Sequence, residues 1–391
     1  MIPDELAASM TAWRRHLHAN PEVATQECAT SDFVAAELSK IGIDFERGVG
    51  GHGIVATLSR PESSRCVGLR ADMDALPITE DTGLPYASVK PGLMHACGHD
   101  GHTASLLGAA RLLAEDRSWT GTIRFVFQPA EEGAIGAHAM IEDGFFDRFP
   151  MDQIFAYHNW PGLPAGEIAA MPGPVMAAGG RIGITLFGTA SHAAMPHRSR
   201  DALLAAGHLL TALQSIASRN VDPLEAVVVS MTTLQTGIAF NQVADRVDLG
   251  GTMRTLKSEV RDRAEEEIVR ISEGIAAAFG MKVEVTLRRT APATVNNARA
   301  ARIAQQAAAA IGAPVCPNAP PSLAGEDFAY FLNRIPGAMV WIGNGELSEG
   351  RELHSPKYDF NDAILPVAAR WFQEVAKRSL LENHVHGDDE T

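Results

Sequence analysis

The sequence predicts an α/β protein, with helices on both faces of a mixed, mostly parallel sheet and a smaller ferredoxin-like α+β domain inserted into it. Three observations carry that prediction. Short apolar runs alternate with helical stretches. Several of those runs are almost continuously hydrophobic, as strands buried on both faces must be. The middle of the chain switches to the order strand, helix, strand, strand, helix, strand. At 391 residues the chain is too long for one compact domain, and a hydrophobic fraction of 46% can bury a sizeable core.

Residues 4–18 read as an amphipathic helix stopped by Pro21, and a second helix is expected over 30–41, ended by Gly42. Strands are expected at 53–58 (GIVATL), 66–72 (CVGLRAD), 122–128 (TIRFVFQ), 153–158 (QIFAYH) and 338–343 (AMVWIG). A helix over 103–116 lies between the second and third of them. The inserted domain reads as strand 181–188, helix 199–217, strands 225–237 and 245–256, helix 258–279 and strand 282–289. Pro, Gly and Ala crowd the entry at 171–180, and 289–297 forms the return. The expected boundaries are therefore 1–178 with 291–391 for the first domain and 179–290 for the insert. The polar tail ENHVHGDDET, 382–391, is expected to fray.

Lys and Arg total 33 against 47 Asp and Glu, a net charge of −14, which argues against nucleic acid or an anionic membrane as partner. Cys28, Cys66, Cys97 and Cys316 are scattered without paired spacing, which fits a reducing compartment better than a disulfide framework. The N-terminal stretch is charged and amphipathic with no apolar core, so no signal peptide is expected. No apolar run approaches the roughly 20 residues of a membrane span. The expectation is a soluble cytoplasmic protein.

In open α/β sheets, ligands bind beyond the carboxyl ends of the strands. CVGLR runs into Asp72 and Asp74, TIRFVFQPA into Glu131 and Glu132, and QIFAY into His158. Cys97, His99 and Asp100 immediately precede the helix expected near Thr103. Each has a bland reading: a buried thiol for Cys97, a satisfied core histidine for His158, a solvated pair for the glutamates, a turn or cap for the aspartates. Together at four strand ends they outweigh those readings. Thiolate, imidazole and carboxylate are a ligand set for zinc, manganese, cobalt or nickel. Cys97 and His99, two apart, can face one ion from an extended loop. Adjacent glutamates would point oppositely on a strand, but a turning loop can bring one to a metal and the other to its water. No second Cys-x-x-Cys exists, which excludes a zinc ribbon. The spacing of Cys97 and His99 disfavours a nucleophilic dyad between them, while His158 stays open as a partner base.

With these residues in place, the chain resembles the metallopeptidase family of aminoacylases and glutamate carboxypeptidases, in particular its amidohydrolase branch of hippurate and indole-acetyl-amino-acid hydrolases. The similarity rests on LHANPE (17–22), GLRADMDALPITEDTGLPYAS (68–88), GLMHACGHDGHTASLLGAA (92–110), FVFQPAEEGAIGAHAMIEDG (125–144) and YHNWPGLPAG (157–166). It continues through GTASHAAMPH (188–197), GTMRTL (251–256), GEDFAYF (325–331) and LHSPKYDFND (353–362), in family order over nearly the whole chain. The resemblance implies a catalytic domain with an inserted lid and dimerisation domain. It implies a dinuclear site whose ligands are Cys97, His99, Glu132, His158 and His354. Glu131 would be the general base, Asp74 would orient a ligand, and His192 would stabilise the oxyanion, often in the partner subunit's site, so a homodimer or dimer-based oligomer is implied. Asn241 and Arg254 are candidates to hold the substrate carboxylate, against the readings of a turn cap and a surface ion pair. Asp100, His102 and His138 are candidates to support the ligands.

The carboxypeptidase-like branch has a His-x-Asp where this chain has Asp72-Met73-Asp74, and an aspartate where it has Cys97. The amidohydrolase branch shares the variant seen here. The softer bridge leaves the choice among manganese, zinc, cobalt and nickel open and makes the site oxidisable. The resemblance implies hydrolysis of an N-acyl amino acid to a carboxylate and a free amino acid. Deacetylation of N-acetyl-diaminopimelate and dipeptide cleavage are the alternatives among enzymes. A binding protein without turnover and a metal-free cysteine hydrolase are the alternatives of other kinds. MAAGG (176–180) hints at a pocket of small residues.

Overall fold

The computed structural model describes residues 2–381 apart from 238 and 349, so the tail expected to fray lies outside the described residues. In chain order the first elements are α1 (Asp4–Ala19), α2 (Cys28–Ile41), β1 (Asp44–Val49), β2 (Gly53–Arg60), β3 (Cys66–Asp72), α3 (His99–Glu115) and β4 (Gly121–Gln128). Then follow α4 (Gly136–Glu142), α5 (Phe145–Arg148), β5 (Gln153–Pro161), β6 (Ile168–Ala169), β7 (Gly173–Met176), β8 (Ala178–Phe187) and β9 (Ser191–His192). The middle continues with α6 (Ala202–Leu213), β10 (Val227–Thr236), β11 (Gln242–Val243), β12 (Arg246–Thr255), α7 (Ser258–Ala278), β13 (Lys282–Arg289) and β14 (Thr294–Asn296). The chain closes with α8 (Ala298–Ala310), β15 (Val315–Cys316), α9 (Ala329–Leu332), β16 (Gly337–Gly345) and α10 (Leu365–Leu381).

Two compact units result: Met1–Gly173 with Val295–Pro320 and Asp327–Thr391, and Pro174–Thr294 with Pro321–Glu326. The larger unit holds a mixed eight-stranded sheet in the order β1-β2-β4-β3-β5-β16-β6-β15. Its centre, β4, β3, β5 and β16, is parallel, and antiparallel pairs flank it. Alternation along β3 turns Val67, Leu69 and Ala71 into the core shared with α1, α3, α8 and α10. Gly68, Arg70 and Asp72 point to the other face, where α4 packs on β4. Buried on both faces, β3 is apolar or paired at every position, which is why it reads as a continuous run. Every residue of α3 from His99 to Ala110 is buried, because α1, α2 and α10 close over it.

The smaller unit is a four-stranded antiparallel sheet in the order β10-β12-β8-β13. With α6 and α7 between its strands this is the β-α-β-β-α-β connectivity the sequence predicts. Ile182, Ile184, Leu186, Val247, Leu249 and Met253 form the core under the two helices. The helix expected over 199–217 is shorter: Asp201 caps it, accepting from the Leu204 N–H at 3.0 Å, and α6 ends at Leu213. No helix among the described residues is long and apolar enough to cross a membrane.

Candidate metal centre

Three strand ends and one helix start build the site. β3 ends at Asp72, β4 at Gln128 just ahead of Glu131 and Glu132, and β5 carries His158 near its end. The helix expected near Thr103 starts earlier: Gly98, at φ 88°, is the N-cap, and His99, Asp100 and His102 lie in the first turn of α3. An extended loop therefore does not present His99; a left-handed glycine turns Cys97 and His99 into position. A Cβ at position 98 would lie 2.3 Å from Asn159 Nδ2 and 2.5 Å from the Tyr358 hydroxyl, so glycine is required twice over.

Ala130 takes the left-handed conformation at φ 55°, which breaks the alternation of β4. The turn closes with the Gly136 N–H donating to Ala130 O at 3.1 Å. Asp74 accepts the backbone N–H groups of Glu131 and Glu132, each at 3.0 Å, one on either carboxylate oxygen. That anchoring brings both glutamate side chains to the imidazole of His99. His354, the last candidate ligand, is also left-handed, at φ 65°, with its N–H donating to Ala96 O at 2.8 Å. Non-glycine residues held there cost of order 1–3 kcal/mol each and cluster where side-chain aim matters.

The candidate donors fall into overlapping sets: Cys97, His99 and His158; Cys97, Glu132 and His354; His99, Glu131 and Glu132. Within each set the donor atoms lie within 4.8 Å of one another. His99 Nδ1 donates to Asp74 O at 2.8 Å and His158 Nδ1 to Asn159 O at 2.7 Å, so in both rings Nε2 faces the cluster as a lone pair. Cys97 Sγ lies 3.4 Å from His158 Nε2, and His354 Nε2 lies 3.4 Å from Glu132 Oε1. His99 Nε2 and Glu132 Oε1 are buried atoms with no hydrogen bond, although Glu132 Oε1 has the imidazoles of His354 and His99 beside it at 3.4 and 3.9 Å. Buried polar atoms are rarely orphaned, and two converging ones call for a cation.

The electrostatics agree. Burial pushes the Cys97 thiol up, and Glu132, Glu131 and Asp72 push it further. Burial alone would depress His99, but Asp72, Asp74 and Glu132 hold it up at about 10. Burial, with His102 and His99 beside it, holds His158 well below its usual value. Glu132 is buried yet held below the usual carboxylate range by His354 and His99. Carboxylates crowd the cavity, and thiol, imidazole and carboxylate together fit divalent metal, with Cys97 common to two sets.

Around the donors runs a network that was only partly legible in the sequence. His102 Nδ1 meets Asp72 Oδ1 at 2.6 Å, and Arg70 Nη1 meets Asp72 Oδ2 at 2.7 Å. Asn159 donates from Nδ2 to Cys97 O at 2.7 Å and from its backbone N–H to His102 Nε2 at 3.0 Å. Tyr358 donates to Asn159 Oδ1 at 2.6 Å. Asn159 and Tyr358 escaped sequence reasoning, although both lie within the matched YHNWPG and LHSPKYDF stretches. Asp100 faces away from the donors, accepting from His18 Nδ1 at 2.8 Å, with Arg14 Nη1 at 3.7 Å. His138 does not support the ligands: it is exposed on α4, 3.5 Å from Glu142 one helical turn on. In the smaller unit His192 pairs with Gln242 across β9 and β11, and the Ala193 N–H donates to Asn241 O at 2.9 Å, so His192 and Asn241 are neighbours. Arg254 lies on β12 with Nη1 donating to Thr252 Oγ1 at 2.5 Å and Met253 O at 2.9 Å.

Comparison with known proteins gives the same direction. Residues 68–378 match peptidase family M20/M25/M40. The chain is 39% identical over 371 residues to an N-acetyl-L-cysteine deacetylase of Bacillus subtilis, covering 95% of this chain and 88% of that one. It is 38% identical over 384 residues to a hippurate hydrolase of Campylobacter jejuni, covering 97% and 99%. The crystal structure of the Bacillus subtilis YxeP protein, a dinuclear metal-binding peptidase of the M20 family, superposes with a TM-score of 0.85 at 36% identity over 96% of this chain and 98% of that one.

Proposed function

The chain belongs to peptidase family M20/M25/M40, and from that premise we propose that it is a metal-dependent amidohydrolase splitting an N-acyl amino acid into a carboxylate and a free amino acid. The convergence of thiol, imidazoles and carboxylates around His99 Nε2 and Glu132 Oε1, neither of which makes a hydrogen bond, carries the reading. Cys97, His99, Glu132, His158 and His354 would hold two divalent ions, manganese, zinc, cobalt or nickel. When bound, such ions polarise the acyl carbonyl and make water acidic enough to attack near neutral pH.

Glu131 takes the proton of the attacking water and returns it to the leaving nitrogen. Glu131 is 9% exposed, and its Oε1 accepts the Asp327 N–H at 3.3 Å, which limits its swing. Asp74 is a positioning residue, tying both glutamates and His99 to one carboxylate and its own carbonyl. His192 Nδ1 accepts the Ala194 N–H at 3.0 Å, so its proton resides on Nε2, the tautomer that can donate to an oxyanion. Asn241 and Arg254 hold the substrate's carboxylate. The reading places the protein in the cytoplasm as a homodimer or dimer-based oligomer; exposed Leu203 and Leu204 on α6 and Leu234 on the edge strand β10 support the self-association.

The test is release of free amino groups from a panel of N-acetyl- and N-benzoyl-amino acids, using protein stripped by chelator and re-supplied with each metal in turn. Restoration of cleavage by one metal is expected. Metal binding without cleavage of any member of the panel would overturn the assignment.

A further inference from the structure

The matched stretch GEDFAYF, 325–331, has had no role so far, yet Asp327 within it touches the proposed base. Phe328 and Phe331 beside it are fully buried, and Phe331 packs on Phe145 of α5 with ring centroids 5.1 Å apart. The Tyr330 N–H closes a turn onto Asp327 O at 2.9 Å, and α9 lies against α4. The main chain at 327 is thus held before its side chain is considered.

The side chain is clamped as well. Asp327 Oδ1 accepts from Gln128 Nε2 at 2.6 Å and from Arg70 Nη2 at 3.4 Å, while Oδ2 accepts the Ala137 N–H at 3.0 Å. Arg70 in turn gives each of its nitrogens a partner: Nε donates to Gln128 Oε1 at 2.8 Å, Nη1 to Asp72 Oδ2 at 2.7 Å and Nη2 to Asp327. Only the planar guanidinium fork can serve three acceptors in this way. Register explains the grouping, since Asp72 stands opposite Gln128 across β3 and β4, and Arg70 shares its face two residues back. The guanidinium also lies over the Phe328 ring, 5.6 Å from its centroid. Arg70, Asp72, Gln128 and Asp327 are all buried, and all belong to the larger unit. Apolar residues of similar volume often stabilise such a layer as well or better. The network is therefore better explained by what it holds in place.

What it holds is one N–H. The Asp327 N–H donates to Glu131 Oε1 at 3.3 Å, and Asp74 already pins the Glu131 main chain. Fixing the main chain and one carboxylate oxygen decides where the other oxygen points. We infer that Asp327, clamped by Arg70 and Gln128, is a positioning residue whose backbone N–H sets the orientation of the Glu131 carboxylate. The inference rests on the amidohydrolase reading in taking Glu131 as the base. Misplacing a reacting group by about 1 Å can cost about 10²-fold in rate, so loosening this clamp is felt in kcat rather than in KM. Asp327→Asn does that loosening. It keeps the volume and the main-chain N–H but turns one accepting oxygen into a donor among donors.

The measurement is a double-mutant cycle on metal-loaded full-length protein, with the N-acyl amino acid that the wild type cleaves best. Asp327→Asn is expected to lower kcat by about 10–100-fold while KM stays within about twofold, with metal stoichiometry unchanged by elemental analysis. Added to Glu131→Gln it is expected to cost nothing further, because the group it orients is already gone. Wild-type kcat in Asp327→Asn, a loss that follows metal content, or a full additional loss on top of Glu131→Gln overturns the inference and leaves the amidohydrolase reading standing. If Asp327→Asn does not fold, Arg70→Lys keeps the buried charge but reaches fewer acceptors. It is expected to show the same loss and the same lack of additivity, and wild-type kcat there overturns the inference. Crystal structures of metal-loaded wild type and variant give a readout that needs no turnover. The Glu131 carboxylate is expected to be displaced or split between conformers in the variant, with the five proposed ligands in place; an unmoved Glu131 overturns the inference. If the wild type cleaves no member of the panel, the amidohydrolase reading fails on these substrates, and the two crystal structures alone decide whether Asp327 orients Glu131.

Discussion

Asp74 Oδ1 accepts the backbone N–H of Glu131 at 3.0 Å. The glutamate is thus held by its main chain while its carboxylate is left for chemistry, and the two functions can be separated by mutation. Glu131→Gln keeps the backbone bond and the side-chain volume but removes the base. We expect kcat to fall by about 10²–10⁴-fold with metal content unchanged by elemental analysis. Unchanged turnover would remove Glu131 from the mechanism.

Asp74→Asn does the reverse. It keeps the shape but replaces one acceptor oxygen by a donor facing the N–H of Glu131 or Glu132. Metal affinity, read by competition with a chromophoric chelator, should weaken by about 10–100-fold, the usual effect of disturbing a ligand's support. Native affinity with reduced kcat would instead make Asp74 a participant in the reaction.

Glycines 92 and 98 offer a matched pair. Both have positive φ, 79° and 88°, but a Cβ at 92 meets nothing within 4 Å while one at 98 strikes Asn159 and Tyr358. Gly92→Ala should cost only the backbone term, about 1 kcal/mol in denaturant unfolding. Gly98→Ala should cost several-fold more and displace Cys97 or His99, detected as lost metal stoichiometry. Equal costs would show that the contact at position 98 relaxes freely.

His18 predicts a pH dependence. Burial would lower its pKa, but Asp100 and Glu80 raise it from 6.5 to about 9; His95 and Tyr86 complete its surroundings. Because the folded value is raised, the stabilisation is complete below the unfolded value of 6.5 and is lost as pH climbs through about 9. The Tm gap between wild type and His18→Gln should be widest near pH 6 and shrink steadily toward pH 9. A gap independent of pH over that window would mean that His18 acts through packing alone.

The dimer is tested by mixing. If the partner subunit's His192 completes each site, then verified mixed dimers of His192→Ala and Glu131→Gln subunits should recover activity approaching one functional site per dimer, about half the wild-type rate per dimer. No recovery above the parental variants would place His192 in its own subunit's site or outside the reaction.

The fold was legible where burial leaves a pattern. β3, β5 and β13 declare themselves because every second residue, or every residue, must be apolar, and β13 occupies 282–289 as expected. α8 was legible but unread: Asn297 caps it through the N–H groups of Arg299 and Ala300, ahead of an alanine-rich run. The start of α3 was misplaced because residues 99–102 look polar, and their burial against Asp72, Asp74 and His18 is a tertiary fact that no local periodicity carries. The donors themselves were legible as strand-end residues. Asn159 and Tyr358 were not, since an amide and a phenol acquire a role here only by what they touch.

The donors are also scattered along the order of synthesis. Cys97 and His99 are translated early, His158 follows, and then a whole second unit is made before His354 appears. A ribosome-bound nascent chain thus carries the Cys97 thiol, the first imidazoles and the carboxylates for most of its synthesis without the residue that closes the proposed set. The complete proposed donor set can therefore assemble only after His354 has been made, once the whole of the smaller unit has been translated.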